Sequence, residues 1–174
     1  MIAIVDYKAG NLTSVKLALG YLGVDCQITH DPDVIRGAER VIFPGDGAAA
    51  AAMEHLNELR LLAPLKDAIA KGTPTLGICL GTQVICDWSD EDGGVPCMGL
   101  LPGKVKKFIA PDPLCKIPQM GWNTMKFARK HPLFEGIEDD SEFYFIHSYY
   151  PVPESRDLVM GETQYADATF ASAV

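Results

Sequence analysis

The chain has 174 residues, of which 48% are hydrophobic and 22% charged, a composition typical of a globular domain. Its formal net charge of -8 argues against nucleic acid or an anionic membrane as a partner, because both favour clustered Lys and Arg. No stretch approaches the roughly 20 consecutive apolar residues of a membrane span, and no basic signal-peptide head precedes the first apolar run. We therefore expect a cytoplasmic protein. Its five cysteines lack metal-ligand spacing, which predicts reduced thiols and neither a disulfide framework nor a zinc site.

The first half of the chain predicts alternating strands and helices. Asn11 is a plausible N-cap for the first helix, and Gly23 ends it. Such alternation is typical of a mostly parallel sheet covered on both faces, with ligands at the carboxyl ends of its strands. The predicted strands are residues 2–7, 26–29, 40–43 and 75–78, and the predicted helices are residues 12–22, 48–62, 64–71 and a further helix within residues 80–88.

The second half changes to strand-like runs separated by Pro, Gly and acidic turns. We expect an antiparallel strand layer attached to the parallel sheet, with all of residues 1–174 in a single domain. The predicted fold is therefore α/β, an open mostly parallel sheet with helices on both faces plus an antiparallel layer. The predicted strands of this half are residues 105–109, 122–127, 143–149, 158–163 and 169–173.

The most informative residues place Cys79 between Gly77 and Gly81, where a predicted strand meets a predicted helix. A sharp strand-to-helix turn holds its central side chain in a strained conformation above the sheet, and small residues two positions away relieve crowding. A helix N-terminus there favours the thiolate, and the N–H of Leu80 is a candidate oxyanion donor. The alternative is a buried, inert thiol.

Residues 74–83, PTLGICLGTQ, resemble the nucleophile segment of class I glutamine amidotransferases. The resemblance implies that Cys79 attacks the side-chain carbonyl of glutamine and that Gln83 helps to hold this substrate. It implies no metal and no organic cofactor. An unrelated α/β cysteine hydrolase would explain the strand-to-helix turn at Cys79, which we call the elbow, but not Gln83.

A glycine-rich turn follows the predicted strand at residues 40–43. The family carries a similar loop whose backbone N–H groups supply the second oxyanion donor. By this resemblance Gly45 and Gly47 let the main chain approach the substrate, and the N–H of Asp46 is the candidate donor. An acidic side chain departs from the small apolar residue expected there. We expect the Asp46 side chain to face water, and the alternative is that it modulates the site.

The segment FYFIHSYY at residues 143–150 also resembles the family. There Ser148 and Tyr149 match a position whose backbone meets the amino acid head of glutamine. His147 could act as a general base, but it matches a structural residue, and the family takes its base from a later His-x-Glu segment.

Two segments favour one branch of the family, the glutaminase subunits of imidazole glycerol phosphate synthase. They are PQMGWN at residues 118–123 and FYFIHSYY, and the N-terminal DYKAGNLTSVKLAL agrees. The resemblance implies glutamine hydrolysis to glutamate and ammonia, with the ammonia passed to a (βα)8-barrel cyclase subunit in a heterodimer. Histidine biosynthesis is the implied pathway.

The family's triad ends with a His-Pro-Glu segment that residues 1–174 do not contain. We expect a sequence that lacks the C-terminal segment of a full-length enzyme, because a final strand without a closing helix would leave apolar sheet surface uncovered. The alternative is a naturally truncated, noncatalytic interaction module.

Overall fold

The structure is a computed structural model that describes residues 1–174, and the chain forms two compact units, Met1–Ile85 and Cys86–Val174. None of its helices has the length and apolar character needed to cross a bilayer. The assignment of all residues to one domain stays a prediction.

The first unit is built on a four-stranded, fully parallel sheet with strand order β2-β1-β3-β4. The strands are β1 (Ile2–Val5), β2 (Cys26–Thr29), β3 (Arg40–Gly45) and β4 (Thr75–Cys79). The helices are α1 (Leu12–Tyr21), α2 (Pro32–Gly37), α3 (Ala49–Glu58), α4 (Leu62–Ala70) and α5 (Leu80–Gln83). The predicted alternation of strands and helices, and hence the α/β class, is confirmed.

Local sequence explains where these elements begin. The Asn11 side chain accepts a hydrogen bond from the Ser14 N–H and caps α1 as predicted. Asp31 caps α2 in the same way, with Pro32 in the first turn. This helix was absent from the sequence prediction, although an Asp-Pro pair before an apolar residue is a recognised helix start.

Two predicted helix boundaries in the first unit are wrong. The helix expected over residues 48–62 ends at Glu58, because the chain turns at Arg60, whose φ is 57°, and the helix expected from residue 64 begins at Leu62. The helix expected after Cys79 is the four-residue α5, and the chain is extended again by Cys86.

The second unit contains two four-stranded sheets, with orders β10-β7-β5-β6 and β12-β11-β8-β9. All pairs are antiparallel except β5 with β7, so the predicted antiparallel layer is present. The strands are β5 (Cys86–Ser89), β6 (Val95–Pro96), β7 (Leu101–Lys107), β8 (Gln119–Phe127), β9 (Ser141–His147), β10 (Tyr149–Pro153), β11 (Gly161–Tyr165) and β12 (Ala168–Ala173).

The strand predicted over residues 143–149 is interrupted at Ser148. Strand β9 pairs with β8, whereas β10 pairs with β7, so the chain changes partner strand at this residue. The Ser148 carbonyl accepts a hydrogen bond from the Phe108 N–H just past the end of β7. Periodicity along the sequence cannot show such a change, because the apolar alternation continues through it.

Candidate active site

Cys79 lies at the last position of β4, directly before α5, in a backbone conformation that non-glycine residues rarely adopt. Its φ is 55° and its ψ is -119°. Strain of this kind persists only where the surrounding structure enforces it, and such residues cluster at functional sites. Of the five cysteines, Cys79 alone is exposed. The alternative of a buried residue is therefore wrong, and the reactivity of the Cys79 thiol stays a prediction.

The flanking glycines are required by close packing. A Cβ at Gly81 would overlap the carbonyl oxygen of Phe43 on β3, and a Cβ at Gly77 would lie 2.9 Å from Thr82 Oγ1. The elbow thus presses α5 against the ends of β3 and β4, and only small residues permit this approach. This close packing confirms the predicted reason for small residues two positions either side of Cys79.

The ionisation of Cys79 differs from the expectation. Although the residue is exposed, neighbouring protein atoms displace water from the thiol, and this desolvation raises its pKa; the nearby charge of Asp46 raises the pKa further. A hydrogen bond from the Leu80 N–H lowers the pKa but does not outweigh desolvation. The expected preference for the thiolate is therefore wrong, because desolvation of the sulfur outweighs the hydrogen bond at the N-terminus of α5.

The glycine-rich loop lies beside the elbow. In the parallel pairing of β3 with β4, Gly45 is directly opposite Cys79. Gly45 is buried, and a Cβ there would overlap the Tyr7 hydroxyl. Gly47 has a φ of 89°, which a glycine adopts without strain. The structure therefore brings the predicted loop to the nucleophile, and the donor role of the Asp46 N–H stays a prediction.

The Asp46 side chain does more than face water. It is exposed, but its Oδ1 accepts a hydrogen bond from the Gly10 N–H at 2.9 Å. The expectation of a purely solvent-facing carboxylate is wrong, because the turn after β1 presents this donor to it.

Tyr7 is a neighbour that sequence reasoning missed. It is fully buried, and its hydroxyl has no hydrogen-bond partner. Burial, followed by the charges of Asp46 and Cys79, raises the pKa of this phenol far above its ordinary value, so the group stays neutral. The sequence feature that could have identified Tyr7 is its position just beyond the carboxyl end of β1, at the sheet edge where β3 and β4 also end.

The remaining predicted residues are distributed over both units. Gln83 is the last residue of α5 and is half-buried. Ser148 and Tyr149 are half-buried in the second unit. The Ser148 carbonyl accepts a hydrogen bond from the Phe108 N–H, and the Tyr149 carbonyl accepts one from His147 Nδ1. Their roles in holding glutamine stay predictions.

The His147 ring is held in place by hydrogen bonds and by packing against aromatic rings. Nδ1 lies 2.9 Å from the Tyr149 carbonyl oxygen, and Nε2 lies 3.0 Å from the Gln119 side-chain oxygen. The ring also packs on Phe108 and Phe170, each at a centroid distance of 5.1 Å. Burial lowers its pKa, and the ring is held on both sides. Nowhere in residues 1–174 do three or more His, Cys, Asp or Glu side chains come together as metal ligands.

Comparison with known proteins decides the family. Residues 3–173 match the family model described as glutamine amidotransferase class-I. The chain belongs to the class I glutamine amidotransferases. Two curated relatives are named imidazole glycerol phosphate synthase subunit HisH. The relative from Moorella thermoacetica is 46% identical over 94% of this chain and 77% of its own length. The relative from Nitrosococcus oceani is 44% identical over 99% of this chain and 83% of its own length.

A solved structure gives the same fold. This amidotransferase chain is similar to a crystal structure titled as a glutamine amidotransferase, with a TM-score of 0.70 over 95% of this chain and 85% of that one. The two share 15% sequence identity, so the likeness concerns the fold alone. The resemblance drawn from residues 74–83 is thus confirmed at the level of family and fold.

Proposed function

We propose that this chain hydrolyses glutamine to glutamate and ammonia, and that it does so as the glutaminase subunit of imidazole glycerol phosphate synthase in histidine biosynthesis. The observation that carries the proposal is the strained, exposed Cys79 in register with Gly45 of a glycine-rich loop. Membership of the class I amidotransferases and relatives named HisH supply the substrate and the pathway. The cytoplasm is the proposed location, and it fits these biosynthetic reactions.

In the proposed mechanism the Cys79 sulfur attacks the side-chain carbonyl carbon of glutamine. The thiol proton passes to a general base and then to the departing nitrogen as the C–N bond breaks and ammonia leaves. The N–H groups of Leu80 and Asp46 stabilise the oxyanion. Gln83, Ser148 and Tyr149 hold the substrate, and water then hydrolyses the thioester to glutamate.

A general base is essential, because desolvation and Asp46 keep the thiol protonated. His147 does not fit this role, since both of its ring nitrogens already have partners. We propose instead that a His-x-Glu segment of a longer chain supplies the base and its orienting carboxylate. The proposed domain is therefore the whole of residues 1–174 together with this segment.

The proposed partner is a (βα)8-barrel cyclase, which forms a heterodimer with this chain and receives the ammonia. The second unit offers a surface suited to this partner. Met120 and Trp122 of β8 lie directly opposite Ile146 and Tyr144 of β9, and all four side chains are more than half exposed. Trp122 and Tyr144 also form an edge-to-face pair with a centroid distance of 5.7 Å. Exposed apolar patches with paired aromatics are typical of protein interfaces, and we call this patch the β8–β9 face.

Steady-state glutamate release tests the function. The chain as printed and the chain extended through a His-x-Glu segment are assayed with and without a cyclase subunit. We expect turnover from the extended chain with the cyclase and almost none from the printed chain, because acid-base assistance is worth about 10² to 10⁴ in rate. Equal turnover by both would refute the proposed base.

The second candidate is a noncatalytic interaction module. The β8–β9 face favours it, because docking needs no triad. Cyclase binding without glutamate release from the extended chain would establish this alternative.

A further inference from the structure

The loop that faces Cys79 carries one acidic side chain, and this side chain is fastened to another turn. Asp46 follows Gly45, the residue opposite Cys79 in the sheet. Its Oδ1 accepts a hydrogen bond from the Gly10 N–H at 2.9 Å. A carboxylate that accepts from a backbone N–H makes a stronger bond than a neutral acceptor. The β3–α3 loop is thus joined to the β1–α1 turn by a single side chain.

The β1–α1 turn makes contacts of its own. The Lys8 N–H donates to Asp6 at 3.1 Å, and the Lys8 Nζ pairs with Glu58 at 3.0 Å. Gly10 has a φ of 93°, and a Cβ there would lie 3.2 Å from the Gly45 Cα atom. The turn therefore lies against the end of β3, where its Gly10 N–H reaches Asp46.

The charges around the thiol are few. Strand β4 (TLGIC) and helix α5 (LGTQ) carry no charged residue. From the β1–α1 turn, Asp6 accepts a hydrogen bond from the Lys8 N–H, Tyr7 is a neutral phenol, and Lys8 is paired with Glu58 of α3. Asp46 is thus the one charged side chain identified as acting on the Cys79 thiol.

We infer that Asp46 is a positioning residue with two opposed effects: its carboxylate fastens residues 45–47 to Gly10, and it places a negative charge next to Gly45, the residue opposite Cys79. This inference rests on the proposed function, since the loop that Asp46 fastens, residues 45–47, is the one that would bind the oxyanion. The tether supports that geometry, whereas the charge slows formation of the nucleophile and disfavours a nearby oxyanion.

Asn and Ala substitutions separate the two effects. Asp46→Asn keeps an oxygen acceptor for the Gly10 N–H and removes the charge, whereas Asp46→Ala removes both. Asp31→Asn is the matched control, because Asp31 also accepts backbone hydrogen bonds, as the cap of α2, and the change in net charge is the same.

The first measurement is the rate of Cys79 alkylation by iodoacetamide as a function of pH, located by mass spectrometry. Asp46→Asn and Asp46→Ala should both react roughly threefold to tenfold faster at pH 7, because a group with a lower pKa is more fully ionised there. Asp31→Asn should react at the wild-type rate. A wild-type profile for Asp46→Asn, or an equal acceleration in Asp31→Asn, would overturn the charge effect.

The second measurement is hydrogen exchange of the Gly10 amide. Protection should persist in Asp46→Asn and fall in Asp46→Ala, and equal protection in the two variants would overturn the tether. Neither measurement needs catalysis. If both come out as expected while the extended chain with its cyclase releases no glutamate, the proposed function fails and the role of Asp46 stands.

Discussion

Cysteine and histidine are both reactive residue types, but Cys79 and His147 lie in opposite kinds of surroundings. Cys79 ends a strand in a strained conformation and is exposed. His147 ends β9, is half-buried among aromatic rings, and has a partner at each ring nitrogen. A side chain with satisfied hydrogen bonds serves the fold, whereas one presented under strain is available for chemistry. The difference lies in the surroundings and not in the residue type.

The largest expected effect separates these two residues directly. In the extended chain with its cyclase, Cys79→Ala should lower glutamate release by about 10³-fold or more, because it removes the nucleophile. His147→Gln should retain glutamate release within about tenfold, provided that the variant is folded, since its role is structural. Comparable losses in the two variants would place His147 in the chemistry.

The packing behind the elbow gives the next effect. Gly81→Ala should destabilise the chain by about 1–3 kcal/mol, because its Cβ meets the Phe43 carbonyl oxygen. Gly20→Ala is the matched control, since a Cβ there meets nothing within 4 Å in helix α1, and it should stabilise by roughly 0.5–1 kcal/mol. Urea unfolding of both variants measures the difference. Equal free energies of unfolding would contradict the close approach of α5 to β3.

The β8–β9 face extends the comparison to partner binding. Trp122→Ala should weaken binding to the cyclase roughly tenfold to hundredfold, as expected for an aromatic anchor near the centre of an interface. Tyr21→Ala on α1 is the control, because this tyrosine is also exposed but lies in the first unit. Calorimetric titration gives both affinities. A larger loss from Tyr21→Ala would move the docking surface to the first unit.

The smallest expected effect is on how the free energy of unfolding depends on pH through His147. Burial lowers the pKa of His147 below its ordinary value of 6.5, so on acidification the unfolded chain binds a proton before the folded chain does. The stability contributed by the neutral ring is complete above about pH 6.5 and is lost as the pH falls from there toward the lowered pKa. His147→Gln should therefore flatten the acid side of the stability curve, as measured by urea unfolding at several pH values. His30→Gln is the control for loss of an exposed histidine, and the same flattening there would contradict the assignment.

The sequence predicted those parts of the fold that depend on local pattern. The apolar run of β1, the Asn11 cap and the glycines around Cys79 are local signals, and the structure agrees with them. It did not predict the short α5, the break at Ser148 or the Gly10–Asp46 hydrogen bond. Each of these depends on a neighbour distant in sequence. The ionisation of Cys79 was predicted wrongly for the same reason, because desolvation depends on everything packed around the sulfur.

The account rests on Cys79 as the group that reacts with glutamine. The direct test is to treat the extended chain, in complex with its cyclase, with a glutamine analogue that carries an electrophilic diazoketone, and to locate the adduct by mass spectrometry. We predict a single adduct on Cys79 that free glutamine suppresses by competition. An adduct that forms preferentially on Cys26, Cys86, Cys97 or Cys115, or labelling of Cys79 that glutamine does not slow, would contradict the assignment.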